Sequence, residues 1–174
     1  MLLFIKNIYG TIELTEKMIN LIEDKGKIIT LGSTAGVMSF KKITNESIKN
    51  RFSSEDLTKE ELFALAKEFE DGVAKGNYAE NGWPKWGYGI SKLVINLYHK
   101  ILAKNAEIIG RGIQVNVCCP GYVKTNMTSY KGHLTVEQGI LTPIFLIERP
   151  FEIDQTTQGR MFYECKPISF FGNE

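Results

Sequence analysis

Apolar positions along this chain fall into helical and strand spacings, and these predict its elements. Leu2, Ile5, Ile8, Ile12, Ile19 and Ile22 follow a loose helical period, which predicts a helix over 2–23 ended by Gly26. The run Lys27-Ile28-Ile29-Thr30-Leu31 reads as a short buried strand. Residues 32–40 are rich in small side chains and are expected to form a loop. In the charged stretch that follows, Leu62, Leu65, Ala66, Phe69 and Val73 mark one helical face, with Thr58 and Glu61 as its capping box. Residues 76–87 read as a loop. A second long helix is expected over 88–105, with Val94, Leu97, Tyr98, Ile101 and Leu102 facing inward, broken by Gly110-Arg111-Gly112. Residues 113–119 form a buried strand stopped by Pro120-Gly121. Thr135 and Gln138 cap a further helix to about Ile147, bent at Pro143, and 159–165 is a last short strand.

Helix and strand alternate throughout. That order predicts an α/β fold, a parallel sheet covered by helices, in one domain or part of one. The chain shows no internal repeat, low-complexity run or domain boundary.

Composition narrows the function classes. The 174 residues are 43% hydrophobic, enough for a real core, and the net charge is +1. Without a long basic run, nucleic acid is not an expected partner. No apolar stretch approaches the length of a membrane span. The opening Met-Leu-Leu-Phe-Ile is followed by Lys6 and Asn7 rather than a cleavable apolar core, so it is not read as a signal peptide. A cytoplasmic location is expected. The adjacent Cys118 and Cys119 read as small buried side chains in a reducing compartment. No metal site is expected, because His99 and His133 form no ligand spacing with the cysteines. His99 is expected to be a surface or satisfied helix residue. The sequons at Asn45 and Asn126 read as chance matches without a secretory signal.

The chemistry concentrates at predicted strand ends, where α/β sheets bind ligands. Tyr88 and Lys92 sit four residues apart and so share a helix face. A cation beside a phenol favours the phenolate and lowers its pKa by about 1–3 units, which tunes a proton donor. The plainer reading is an exposed lysine one turn after a packed tyrosine. Ser33 follows the first strand and can donate to a substrate oxygen, or serve only as a turn residue. Pro120-Gly121 after the second of these strands lets backbone approach a ligand. Gly32-x-x-x-Gly36 begins like a nucleotide fingerprint, but Met38 stands where a third glycine is needed. These glycines are therefore read as a flexible turn beside the site.

With Ser33, Tyr88, Lys92 and Pro120-Gly121 in this order, the chain resembles the short-chain dehydrogenase/reductase family, and within it the NADPH-using carbonyl reductases. The resembling runs are Asn7 to Thr11, Gly26 to Ile29, Gly82-Trp83-Pro84, Tyr88 to Lys92, and Cys118 to Thr125. The resemblance implies a partial Rossmann-like doubly wound parallel sheet flanked by helices. It implies that Tyr88 gives a proton to a carbonyl oxygen as hydride arrives from NADPH. Lys92 would lower the tyrosine pKa and hold the ribose hydroxyls, and Ser33 would polarise the carbonyl. Asn7 would hold a water in the proton relay. Pro120, Gly121 and Val123 would line the nicotinamide, with Thr125 near its carboxamide or the phosphates. Ser33, Ala35 and Tyr122 would face a small ketone, aldehyde or quinone. An inserted helical segment at about 41–81 would cover the face other members use for pairing, which implies a monomer.

The same resemblance implies that residues 1–174 are the C-terminal, catalytic part of one such domain. The glycine-rich phosphate turn, T-G-x-x-x-G-x-G in complete members, does not occur here. The choice between NADPH and NADH is therefore carried by resemblance alone. Three readings stay open: the catalytic part of a reductase, a non-catalytic remnant, and a module whose open sheet edge recruits a partner.

Overall fold

The computed structural model describes residues 4–150 and 156–172, leaving out the Ile5 side chain. Leu2, part of the first expected helix, lies outside the described residues. Four strands form the sheet in the order β1 (Lys27–Leu31), β2 (Gln114–Cys119), β3 (Arg160–Tyr163) and β4 (Lys166–Ile168). The first three run parallel and β4 returns antiparallel, so the sheet is mixed. Although β1 is a partly buried edge strand rather than a buried one, the α/β class and the strands β1, β2 and β3 agree with the sequence reading. The returning strand does not appear in it.

β2 is buried along its whole length, and its side chains alternate between two cores. Val115, Val117 and Cys119 join the main core, which holds Ile8, Ile12, Leu65, Phe69, Leu93, Leu97 and Met161. Cys118 points to the opposite face, where it meets Leu146 and Phe162. Both cysteines are buried and unpaired by disulfide, as expected.

The first helix starts as a π turn over Ile5–Gly10 and continues as α1 (Thr11–Ile19). It ends at Ile19 rather than residue 23. The expected loop at 32–40 is instead helix α2 (Thr34–Lys42), because Ser33 caps it: the Ser33 hydroxyl oxygen accepts the Ala35 N–H. Gly36 packs this helix tightly onto α5 (Gly87–Leu102), where a Cβ would lie 2.7 Å from the Leu93 nitrogen. The glycine pair is thus a close-packing device, not a flexible turn.

The segment at 41–81 carries α3 (Glu46–Ser53) and α4 (Lys59–Lys75). Thr58 caps α4 through the Glu61 N–H. Ile48, Phe52, Leu62, Leu65 and Phe69 bury into the main core, and Phe52 and Phe69 both meet the Trp83 ring edgewise. Arg51 ties the two helices together through Glu61 and Glu68 at 2.5 and 2.7 Å. Val73, expected inward, is half exposed beyond the buried face.

α5 stops at Leu102 and Asn105 caps the short α6 (Ala106–Gly110). His99 is buried, not at the surface: its Nδ1 lies 2.9 Å from the Ile95 carbonyl, and burial pushes its pKa down to about 4. After β2, Thr135 and Gln138 cap α7 (Val136–Gly139). The helix is interrupted at Ile140, and Pro143 sits in the first turn of α8 (Leu141–Glu148), where proline is tolerated. Lys27 on β1 closes the far end of α8 by donating to the Leu146, Ile147 and Arg149 carbonyls at 3.2, 2.8 and 2.8 Å. No helix among the described residues is long and apolar enough to cross a membrane.

Candidate active site

The carboxyl ends of β1 and β2 open towards the first half of α5. The close α2–α5 packing brings this about, since Gly36 meets Leu93 and Gly89 meets Ser39. At the end of β1, the Lys92 ammonium donates to the Leu31 carbonyl at 3.0 Å. Removal from water pushes the Lys92 pKa down. An ammonium has three donors, so two remain to bind hydroxyl groups of a ligand.

Tyr88 lies one turn nearer the start of α5 and is 39% exposed. Its carbonyl accepts from the Ser91 hydroxyl at 2.8 Å, and the Asn7 amide donates to that same hydroxyl oxygen at 3.2 Å. Asn7 belongs to the π turn, a distortion frequent at functional sites. Asn7, Ser91 and Tyr88 thus form one short chain of contacts between two helices.

Ser33 leaves β1 in an extended conformation, φ −166° and ψ 144°. One lone pair of its hydroxyl is occupied by the Ala35 N–H at 3.1 Å, which leaves the O–H to donate. Ala35 itself is buried in the first turn of α2. Asn96, two turns after Tyr88, bonds the Ser33 main chain on both sides. Sequence reasoning missed Asn96. Its signal was a carboxamide on an apolar helix face, four residues beyond Lys92.

At the end of β2, the Gly121 N–H reaches the Cys119 sulfur at 3.4 Å, and Thr34 Oγ1 lies 3.7 Å from the same sulfur. Gly121 has φ +81°, and a Cβ there would lie 2.5 Å from Leu134. Tyr122 is half exposed and its ring tilts against His133. Val123 bridges to Leu134. The Thr125 N–H donates to Thr128 Oγ1 at 3.1 Å, which starts a 3-10 turn, Asn126–Thr128. Pro120, Gly121, Tyr122, Val123 and Thr125 therefore line one continuous segment leaving β2. Among the described residues no cluster of potential metal ligands occurs.

An ammonium with two further donors, a phenol one turn away and a capped serine gather at parallel strand ends, where Rossmann-like sheets bind ligands. Known proteins share this fold. Carbonyl reductase (NADPH) 1 of Mus musculus is 34% identical over 146 residues, 83% of this chain and 52% of that protein. The Homo sapiens protein of the same name is 32% identical with the same coverage. Among solved structures, salutaridine reductase from Papaver somniferum superposes with a TM-score of 0.76 at 29% identity, covering 91% of this chain and 52% of that one. Menthone neomenthol reductase from Mentha piperita gives 0.65 at 28% identity, covering 92% and 49%. No family model matches the chain. Its homologues are carbonyl reductases and its structural neighbours are reductases of the short-chain dehydrogenase/reductase type, and the chain spans about half the length of the curated relatives it matches.

Proposed function

We propose that this chain carries the proton-handling part of an NADPH-dependent carbonyl reductase. One observation carries the reading: Lys92, one turn from Tyr88, is fixed to the end of the strand that leads into Ser33. Tyr88 donates its proton to the carbonyl oxygen of a small ketone, aldehyde or quinone. Ser33 donates its free O–H to the same oxygen, where negative charge develops. Lys92 binds ribose hydroxyls with its two remaining donors and stabilises charge on the Tyr88 oxygen. Asn7 holds a water that returns a proton to this relay. Pro120, Gly121 and Val123 line the nicotinamide, Thr125 lies near its carboxamide, and Tyr122 and the Ala35 turn border the substrate. The nicotinamide, when bound, supplies the hydride.

These residues fit the nicotinamide end of the cofactor. The 174-residue sequence holds no glycine-rich phosphate turn, so weak cofactor binding is expected of this polypeptide by itself. Helix α4 packs along α5, the face other members use for pairing by the resemblance, which supports a monomeric state for the assembled reductase.

The test is NADPH consumption with a reactive quinone or an aromatic aldehyde. Tyr88→Phe is expected to lower the rate by about 10²–10⁴-fold. Equal rates for both proteins discard Tyr88 as the acid.

A second reading draws on β1. Among the described residues β1 pairs only with β2, and Leu31 at its end is exposed. A free strand edge of this kind recruits a further strand, from a partner chain or another segment. A monodisperse monomer that binds no hydrophobic dye rejects it.

A further inference from the structure

Asn96 is fully buried in the middle of α5, among Leu93, Val94, Ile95 and Leu97. Its carboxamide makes two hydrogen bonds to the main chain of a single residue. Oδ1 accepts the Ser33 N–H at 3.3 Å, and Nδ2 donates to the Ser33 carbonyl at 3.0 Å. A neighbouring strand would offer the same pair of bonds. β1 loses its strand partner at this point: the Gly32 N–H still reaches the Cys118 carbonyl, and at Ser33 the Asn96 amide takes over. Two glycines make room for it. A Cβ on Gly32 would fall on Asn96 Oδ1, and one on Gly36 would lie 2.7 Å from Nδ2. Leucine would suit this apolar face better, since a buried amide is costly unless bonded. The polar group is directed at Ser33.

We infer that Asn96 is a positioning residue: it fixes the extended Ser33 backbone and so aims the serine hydroxyl at the face of α5 that carries Tyr88 and Lys92. The meaning of that aim rests on the reductase reading above. Tyr88, Lys92 and Asn96 recur every fourth residue and form one stripe along α5. Lys92 holds the Leu31 carbonyl and Asn96 holds Ser33, so phenol, ammonium and hydroxyl share one rigid helix as their reference.

Two measurements on the full chain test this, using Asn96→Leu to keep volume and Asn96→Ala as the smaller variant. The first is amide hydrogen exchange. In both variants the Ser33 amide is expected to exchange at least about tenfold faster, as loss of a buried bond implies, while the Val117 amide keeps its rate. An unchanged Ser33 rate overturns the inference. Equal acceleration at Val117 also overturns it, by showing a general packing role. The second is turnover. Asn96→Leu is expected to lower kcat about tenfold with KM within about twofold. The double variant with Ser33→Ala is expected to be no slower than Ser33→Ala alone. Independent, multiplying losses overturn a role through the serine. If the unmodified chain reduces no carbonyl, the reductase reading fails separately, and the exchange experiment still decides whether Asn96 sets Ser33.

Discussion

Lys92 donates to the Leu31 carbonyl and, with no salt bridge to an acid among the described residues, is partly withdrawn from water. A lysine in that position is costly to the fold. Burial favours its neutral form, so the charged form carries a penalty at neutral pH. Leu31 sits at an exposed strand end, where water can replace the ammonium.

Lys92→Met is therefore expected to separate stability from activity. Thermal melting should show a Tm unchanged or higher, while carbonyl reduction falls by about 10²-fold or more. A marked drop in Tm would show that the lysine serves structure.

His99 predicts a pH dependence. Removal from water holds its folded pKa near 4, against the opposing bond to the Ile95 carbonyl. In the unfolded chain the value is about 6.5. Above that pH the residue is neutral in both states and contributes no slope. Below it the unfolded chain binds a proton that the fold refuses, so stability is lost as pH falls from about 6.5 to about 4. The loss amounts to about 3 kcal/mol in total. Urea unfolding across this range should show the slope, and His99→Gln should flatten it.

Lys27 holds the last carbonyls of α8 from the neighbouring strand. Lys27→Met leaves those carbonyls to water and removes a cation from the negative end of a helix. A cost of about 1–2 kcal/mol is expected. Hydrogen exchange in α8 should accelerate before that in β2. Uniform acceleration would contradict a local cap.

Two glycines in helices should respond in opposite directions. Gly36→Ala places a methyl 2.7 Å from the Leu93 nitrogen and 2.7 Å from Asn96 Nδ2. A loss of about 1–3 kcal/mol follows. Gly110 ends α6 with open space around a would-be Cβ, and Gly110→Ala should gain about 0.4–1 kcal/mol. Chemical denaturation of both variants checks the sign of each.

The sequence made some of this fold plain and hid other parts for physical reasons. β2 and the Thr58-capped helix were readable because their apolar spacing matches their burial; β1 was readable as a strand, but as an edge strand it is only half-buried with Leu31 exposed, not the buried strand expected. α2 was not, since small residues at Gly36 and Ser39 pack it without an apolar period. β4 was missed because Glu164 and Cys165 adopt a two-residue turn with φ of +51° and +60°, without the usual Asn-Gly signal. At the site, Tyr88, Lys92 and Ser33 stood out as reactive types, and the structure brings Lys92 and Ser33 to one strand end. Asn96 did not stand out because its close partners are the Ser33 main chain, which no residue pattern encodes, with only the Met161 sulfur beside them at 3.6 Å.

The π turn at Ile5–Gly10 has a last consequence. Such a turn is one residue too many for regular winding. Deleting a single residue between Asn7 and Gly10 would restore α geometry and swing the Asn7 side chain by about 100° around the axis. The link from Asn7 to Ser91 thus hangs on a local miscount. Length, more than residue identity, is what this short stretch has to preserve.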